Sequence, residues 1–366
     1  PYATTSYAYD VLGNLTTVTD AQGNRSTMQY DTLSRKISMH DPDMGEWSYE
    51  YDANGNLIQQ IDAKSQQIHY HYDALNRRLQ KDYGSRKALG AGDVVYTYDG
   101  STHHRKGRLH QVDDVSGTTT FFYDSRGRVT RTDQVVEGVT YTTQTSYDGV
   151  DRVRALTYPD NTTLTQTYNG PQLEEVKEGP VVYARYGGYN ALGQPSTLTH
   201  ANGVTTSYSY DPTNFRLTSL TTVNGATVLQ DVGYIFDHGG NVTALTDPTQ
   251  GNQTFGYDAL DRLTSATGTY GTLTYTYNAI GNLLNNSRVG AFTYSASGPT
   301  SVRPHAVETA GGQTYLYDRN GNQVAGDGRI IAYDAENRPV NITTGDSESV
   351  PVLFTVLLAG KGEGTV

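Results

Sequence analysis

The sequence predicts an all-β protein of tandem β-hairpins that pair into one long antiparallel sheet. Three observations carry this. A Tyr-Asp pair, or a close variant of it, recurs 16 times, most often 21 residues apart. A residue suited to a left-handed backbone stands three places after the Asp in most units. Aromatic residues also alternate ahead of each pair, the two-residue period of a strand.

The pairs begin at Tyr9, Tyr30, Tyr51, Tyr72, Tyr98, Tyr123, Tyr147, Tyr168, Tyr189, Tyr210, Phe236, Tyr257, Tyr277, Tyr294, Tyr317 and Tyr333, with steps of 16 to 26 residues. Three places after the Asp stand Gly, Asn, Asp or Ser in 14 of the 16 units, with Thr102 and Gln172 departing. Gly, Asn and Asp reach positive φ at least cost, and Ser34 fits less well. An Asp opening a type I turn accepts a backbone N–H two residues on. The expected turn residues therefore include Asp10 with Gly13, Asp52 with Gly55, Asp73 with Asn76, Asp124 with Gly127, Asp258 with Asp261, and Asp318 with Gly321. In the unit at Tyr98, an inserted "STHHRK" displaces the pattern to Gly107-Arg108.

Pairs two residues apart share a strand face. Tyr49 and Tyr51, Tyr70 and Tyr72, Tyr208 and Tyr210, and Tyr275 and Tyr277 are expected to line one face of the sheet. A lone hairpin is marginally stable, so neighbouring hairpins are expected to pair. About 16 such units fill residues 1–344. Residues 345–366 read as a degenerate last unit or a truncated edge. "QLEEVKE" is the best short helical stretch, and "YGSRKALGAGDV" and "GPVVYARYGG" read as insertions or irregular edges.

Composition agrees. Among 366 residues there are 30 Tyr, 7 Phe and 1 Trp, so most of the aromatic surface carries a hydroxyl. Mean hydropathy is −0.58. Disordered chains lack aromatics, so this value fits a thin sheet with a wet face. The absence of Cys excludes disulfides and thiolate metal sites. A formal net charge of −11 argues against nucleic acid or an anionic membrane as the main partner. The most apolar run, Val350 to Ala359, is too short for a membrane-spanning helix. A chain that opens at Pro1 without a signal segment reads as an internal piece of a longer polypeptide.

The unit seen in "YDANGNL", "YDSRGRV" and "YDALDRL" resembles the YD-repeat or RHS family from Tyr7 to about Thr344. The family includes the B and C components of bacterial toxin complexes, RHS polymorphic toxins, wall-associated proteins and teneurins. The resemblance implies a strip of hairpins that spirals into a hollow shell, around a toxic polypeptide in the toxin members. It also implies secretion or a cell-surface location. The family's autoprotease segment finds no match: "DPDMGEW" shares letters with it but sits between ordinary repeats. A β-propeller is the alternative fold, because two units together have the size of one blade.

Other chemistry is sparse. His69 and His71 share a strand face without an identifiable third ligand. His103 to Lys106 read as a solvated basic insertion. Asp41, Asp43 and Glu46 lack the spacing of a calcium loop. No cofactor, metal or catalytic residue is expected. The expected function is therefore structural: a non-enzymatic shell segment that encloses a polypeptide cargo. Its expected partners are flanking segments of the same polypeptide or copies of itself. Cell-surface adhesion or glycan binding on the tyrosine face is the alternative.

Overall fold

The computed structural model describes residues 3–344 and 349–351. Among the described residues there is no helix. A single antiparallel sheet of 29 strands runs from Ser6–Tyr9 to Gln313–Thr314. Five further strands, Leu316–Tyr317 to Ser349–Pro351, form a second sheet. Within each sheet, strands pair with their neighbours in the chain, as Leu15–Thr19 does with Ser6–Tyr9 and with Arg25–Tyr30. A propeller would break into separate blades; this continuity excludes it. The strip is not closed into a barrel, since Ser6–Tyr9 and Gln313–Thr314 each pair on one side only.

One irregularity repeats. Ala8 lies opposite Thr17 while Tyr9 lies opposite Leu15, which leaves Thr16 as an extra residue on its strand. The same slip occurs at the aromatic of the repeat in 15 of the 16 units. A bulge bends its strand and increases the local twist. Placed once per unit at an equivalent position, it gives the strip a cumulative curl. Several extra residues are Thr, and their hydroxyls bond the carbonyls that the slip leaves facing them, as Thr16 does with Ala8 at 3.1 Å.

The sheet is thin, and most residues are half-buried. In Gly45–Tyr51 the exposed side carries Glu46, Ser48 and Glu50, and the half-buried side Trp47, Tyr49 and Tyr51. Tyr70, Tyr72, Tyr208, Tyr210, Tyr275 and Tyr277 likewise lie on the less exposed face of their strands. Buried polar residues, such as Asn24, Asp62, Gln80, Asp82, Asn282 and Asn320, outnumber buried apolar ones such as Ile68 and Val112. The wall is held by hydrogen bonds at least as much as by an oily core.

Several expectations need correction. "QLEEVKE" is a strand, Gln172–Glu178, because pairing with Thr163–Asn169 and Val181–Gly187 overrides a helical pattern of barely two turns. "GPVVYARYGG" contains that regular strand Val181–Gly187. Near Tyr210, Phe215 takes the left-handed conformation (φ 58°) in place of Asn214, in a loop one residue longer than the usual one. The last-unit reading of residues 345–366 lies outside the described residues, apart from Ser349–Pro351.

Candidate functional site: the tyrosine clamp and the seam

The repeat turn is built around one carboxylate. In the first unit, Asp10 Oδ1 accepts the N–H groups of Leu12 and Asn14, both at 2.9 Å, and Oδ2 accepts Asn14 Nδ2 at 2.8 Å. Gly13 follows at φ 85°. Asp52, Asp73, Asp124, Asp258 and Asp318 repeat this pattern. Gly55, Asn76, Gly127, Asp261 and Gly321 take the left-handed position, and Ser34 takes it too, at φ 61°. In the insertion after Tyr98 the position falls to Gly107. The side-chain hydrogen bond from the residue four places on is the main influence that holds the carboxyls of Asp10, Asp31, Asp52, Asp237 and Asp258 below their usual range.

The residue four after the Asp then reaches the next unit. Arg35 donates to Asp31 of its own turn at 2.7 Å and to the Asp52 carbonyl of the next at 2.9 Å. Its guanidinium carbon lies 5.0 Å from the Tyr51 ring centroid. The Tyr51 hydroxyl returns to the Lys36 carbonyl, beside Arg35, at 2.9 Å. Hydroxyl and ring together clamp two units. The same hydroxyl bond recurs from Tyr30, Tyr72, Tyr123, Tyr147, Tyr168, Tyr189, Tyr210, Tyr257, Tyr277, Tyr294 and Tyr333. The stacking recurs for Arg77 on Tyr98, Arg128 on Tyr147, Arg152 on Tyr168 and Arg262 on Tyr277, at 4.1 to 4.8 Å.

After twelve units the curled strip meets itself. The edge bearing the Tyr-Asp turns of the last four units lies against the opposite loop edge of the first four. Asn320 donates to Asp62 at 2.6 Å, 258 residues away, and Lys64 pairs with Asp318 at 3.0 Å. Gly298 and Ser301 both donate to Asn24 Oδ1. His305 sits between Asp43, at 2.6 Å, and Asp20, at 3.5 Å. Lys81 pairs with Glu336, and burial, then the Glu336 charge, push the Tyr83 phenol up. The backbones touch as well: a Cβ on Gly321 would stand 2.6 Å from the Asp43 carbonyl oxygen. Four of the buried polar residues named above, Asn24, Asp62, Asn320 and Asn282, lie in the turn loops of this seam; Asn282 donates to the Pro304 carbonyl.

Other singled-out residues have local partners. His71 bonds the buried Asp82 at 3.1 Å, and His69 bonds Gln67 at 3.2 Å. Gln80 and Asp82 also hold the loop after Tyr83, through Ala88, Gly90 and Lys87. The basic insertion is not wholly solvated: Arg105 is buried, lies 4.3 Å from the Phe122 centroid and donates to the Phe121 carbonyl. Asp41 accepts the N–H groups of Asp43 and Met44, two and three places on, in a tighter turn than that of the repeat. Among the described residues, no group of three His, Asp or Glu is placed to hold a metal. No helix there is long and apolar enough to cross a membrane.

A curled strip of clamped hairpins, meeting itself loop to loop, defines a repeat-built β wall. The chain carries repeats of the RHS type. The RHS repeat model matches residues 3–43, 51–88, 189–227 and 236–273. Toxin subunit YenC1 of Yersinia entomophaga is 35% identical over 97 residues, 22% of this chain and 10% of that one. Toxin subunit YenC2 of the same organism is 27% identical over 188 residues, 37% and 19% of the two chains. The Photorhabdus luminescens Tc holotoxin pore superposes with a TM-score of 0.78 at 20% identity, over 93% of this chain and 20% of that one. The TcdB2–TccC3 complex gives 0.79 at 20% identity, over 93% and 21%. The chain thus spans about a fifth or less of the proteins it matches. The likeness to the two solved structures is one of fold.

Sequence reasoning missed the hydroxyl's task. The available signal was that 15 of the 16 aromatics before the Asp-like residue are Tyr and one is Phe. It also missed that opposite-edge loops use the same grammar, as in Asp20 with Gly23 and Asp62 with Ser65.

Proposed function

We propose that this chain is a wall segment of a secreted toxin-complex shell and that the wall separates a polypeptide cargo from its surroundings. The observation that supports this best is the seam: a strip that curls, returns after twelve units and seals loop to loop is suited to enclosing space. The strip fold matches chains of the Tc assemblies, and the shell-type repeat points to a structural role. The chain supplies rigidity through clamps and seam, while catalysis, including any self-cleavage, belongs to other segments. Its partners are further segments of the shell and the enclosed polypeptide.

The glycan-binding reading is weaker. At Tyr51, Tyr98, Tyr147, Tyr168 and Tyr277 an arginine already lies against the ring, so that face is not open for a sugar.

The test is limited proteolysis of the whole polypeptide that carries this chain, with and without Gly321→Ala and Asn320→Leu in the seam. A segment protected only while the seam is intact supports enclosure. Equal digestion of all other segments in both forms refutes it.

A further inference from the structure

We propose that Asn320 is a latent deamidation site that the seam holds shut, so that parting of the seam becomes chemically irreversible. This goes beyond the shell reading, since it needs only the seam and holds whatever the wall encloses. Asn followed by Gly occurs five times, at Asn54, Asn169, Asn202, Asn224 and Asn320. In such a pair the backbone nitrogen of the Gly can attack the Asn side chain, because no Cβ hinders its approach. Four of these Asn residues are exposed; Asn320 alone is buried, at 5% exposure.

Asn54 and Asn320 isolate the cause. Both stand in the sequence Asp-x-Asn-Gly-Asn and in the same repeat turn. Gly55 and Gly321 have φ of 89° and 82°, and their N–H groups donate to the Asp52 and Asp318 carbonyls at 3.1 and 3.2 Å. The attacking nitrogen is held alike in both turns, and the side chains differ. Asn320 Nδ2 donates to Asp62 at 2.6 Å and to Asn337 at 2.9 Å, and its Oδ1 accepts the Lys64 N–H at 3.2 Å. Asp62 and Lys64 lie across the seam, so the seam itself fixes the carbon that would be attacked.

Loop contacts open locally at lower cost than paired strands. Once these open, the Gly321 nitrogen bonds to Asn320 Cγ. Its proton leaves with the Nδ2 group as ammonia, and a cyclic imide remains. Water then opens the imide at either carbonyl, leaving Asp or isoaspartate; the balance is Asn plus water to acid plus ammonia. Either product opposes resealing. A carboxylate there faces the buried Asp62, and like charges sharing a site repel. Isoaspartate also inserts a methylene into the main chain beside Gly321, where a Cβ would already stand 2.6 Å from the Asp43 carbonyl oxygen.

The experiment incubates the 366-residue chain at mildly alkaline pH and follows the peptides that carry Asn54 and Asn320 by mass spectrometry. Each folded rate is divided by the rate of the same peptide in urea, where both turns are gone. On that scale Asn320 is expected to convert about tenfold or more slowly than Asn54, because bonds to a charged acceptor must break first. Asp62→Asn combined with Lys81→Ala turns a donor toward Asn320 Nδ2 and removes the neighbouring ion pair. It is expected to bring Asn320 close to the Asn54 rate and leave Asn54 unchanged. Equal protection of the two Asn residues in the wild type overturns the proposal, as does an Asn320 still protected in the double variant. Should the double variant lose its β-sheet circular dichroism, Lys81→Ala alone takes its place: a faster Asn320 supports the proposal, and an unchanged one overturns it. Asn320→Asp supplies the product directly. It is expected to open the loops around Asp62 and Asp318 to protease, and a chain as resistant as the wild type overturns the irreversibility.

Discussion

The Tyr51 hydroxyl donates to the Lys36 carbonyl at 2.9 Å, and the intervening residues are two paired strands and the opposite-edge loop that joins them. Because the bond is replicated along the strip, each copy can be tested alone. Tyr51→Phe or Tyr168→Phe keeps ring and stacking and removes one donor. Each is expected to cost about 1 kcal/mol, read as a lower urea midpoint at constant slope. The converse tests it more sharply. Phe236 holds the clamp position over Arg216, 5.6 Å from its centroid, without a hydroxyl. Phe236→Tyr is expected to stabilise the protein by up to about 1 kcal/mol through a bond to the Leu217 carbonyl. No gain in midpoint would mean that the hydroxyl is incidental.

Gly13 and Gly321 occupy the same repeat position with nearly the same φ, 85° and 82°. A Cβ on Gly13 meets nothing within 4 Å, whereas one on Gly321 meets the Asp43 carbonyl at 2.6 Å. Gly13→Ala is expected to cost about 1–2 kcal/mol, the ordinary cost of a left-handed Ala. Gly321→Ala carries that cost and also parts the seam. Small-angle scattering should therefore show a larger radius of gyration for Gly321→Ala alone. Equal radii for the two variants would contradict a backbone contact at the seam.

The turn carboxylates give the protein an acid limit. Asp10, Asp31, Asp52, Asp237 and Asp258 are held below the usual carboxylate range by the side chain four residues on and by backbone N–H groups. A folded value below the unfolded one contributes stability above the unfolded value, about 3.9. That contribution disappears as pH falls through the folded values. Stability is therefore expected to be flat with respect to these groups from neutral pH to about 5, then to fall below about 4, where urea midpoints should drop together. Asp10→Asn keeps one acceptor oxygen and removes the titration. It should flatten the acid limb slightly by lowering the neutral value, since the introduced amide nitrogen faces the Asn14 Nδ2 that Asp10 Oδ2 accepts.

How much of this was legible in the sequence follows from distance along the chain. The Asp10 turn closes within four residues, and the alternation of Tyr70 and Tyr72 lies within one strand, so composition and spacing expose both. The Tyr72 bond to Leu57 spans 15 residues, within the repeat. It was written in the preference for Tyr over Phe. The bulge at Thr16 leaves no letter of its own, because it arises from how two strands pair. The seam was illegible: Asn320 and Asp62 look like ordinary turn residues, and only the summed curl of twelve units brings them together. "QLEEVKE" misled for the opposite reason, since its local pattern was real and pairing on both sides overruled it.

Asn320 is the residue through which the seam can be separated from the strip. It is buried, donates to Asp62 at 2.6 Å and to Asn337 at 2.9 Å, and accepts the Lys64 N–H at 3.2 Å. Asp62 is itself buried, and its other oxygen is taken by the N–H groups of Lys64 and Gln66. Asn320→Leu leaves Asp62 Oδ2 without this donor beside an apolar group. Loss of a hydrogen bond to a buried charge costs about 1.5–3 kcal/mol. The β-sheet signal in circular dichroism should persist, because no strand pairing is touched, while protease sensitivity rises at the loops around Asp62 and Asp318. Exchanging the partners, Asp62→Asn with Asn320→Asp, keeps a carboxylate facing an amide and should recover at least part of the lost stability. If the exchange is no better than Asn320→Leu, the pair does not hold the seam, and the ion pairs Lys64–Asp318 and Lys81–Glu336 must carry it instead.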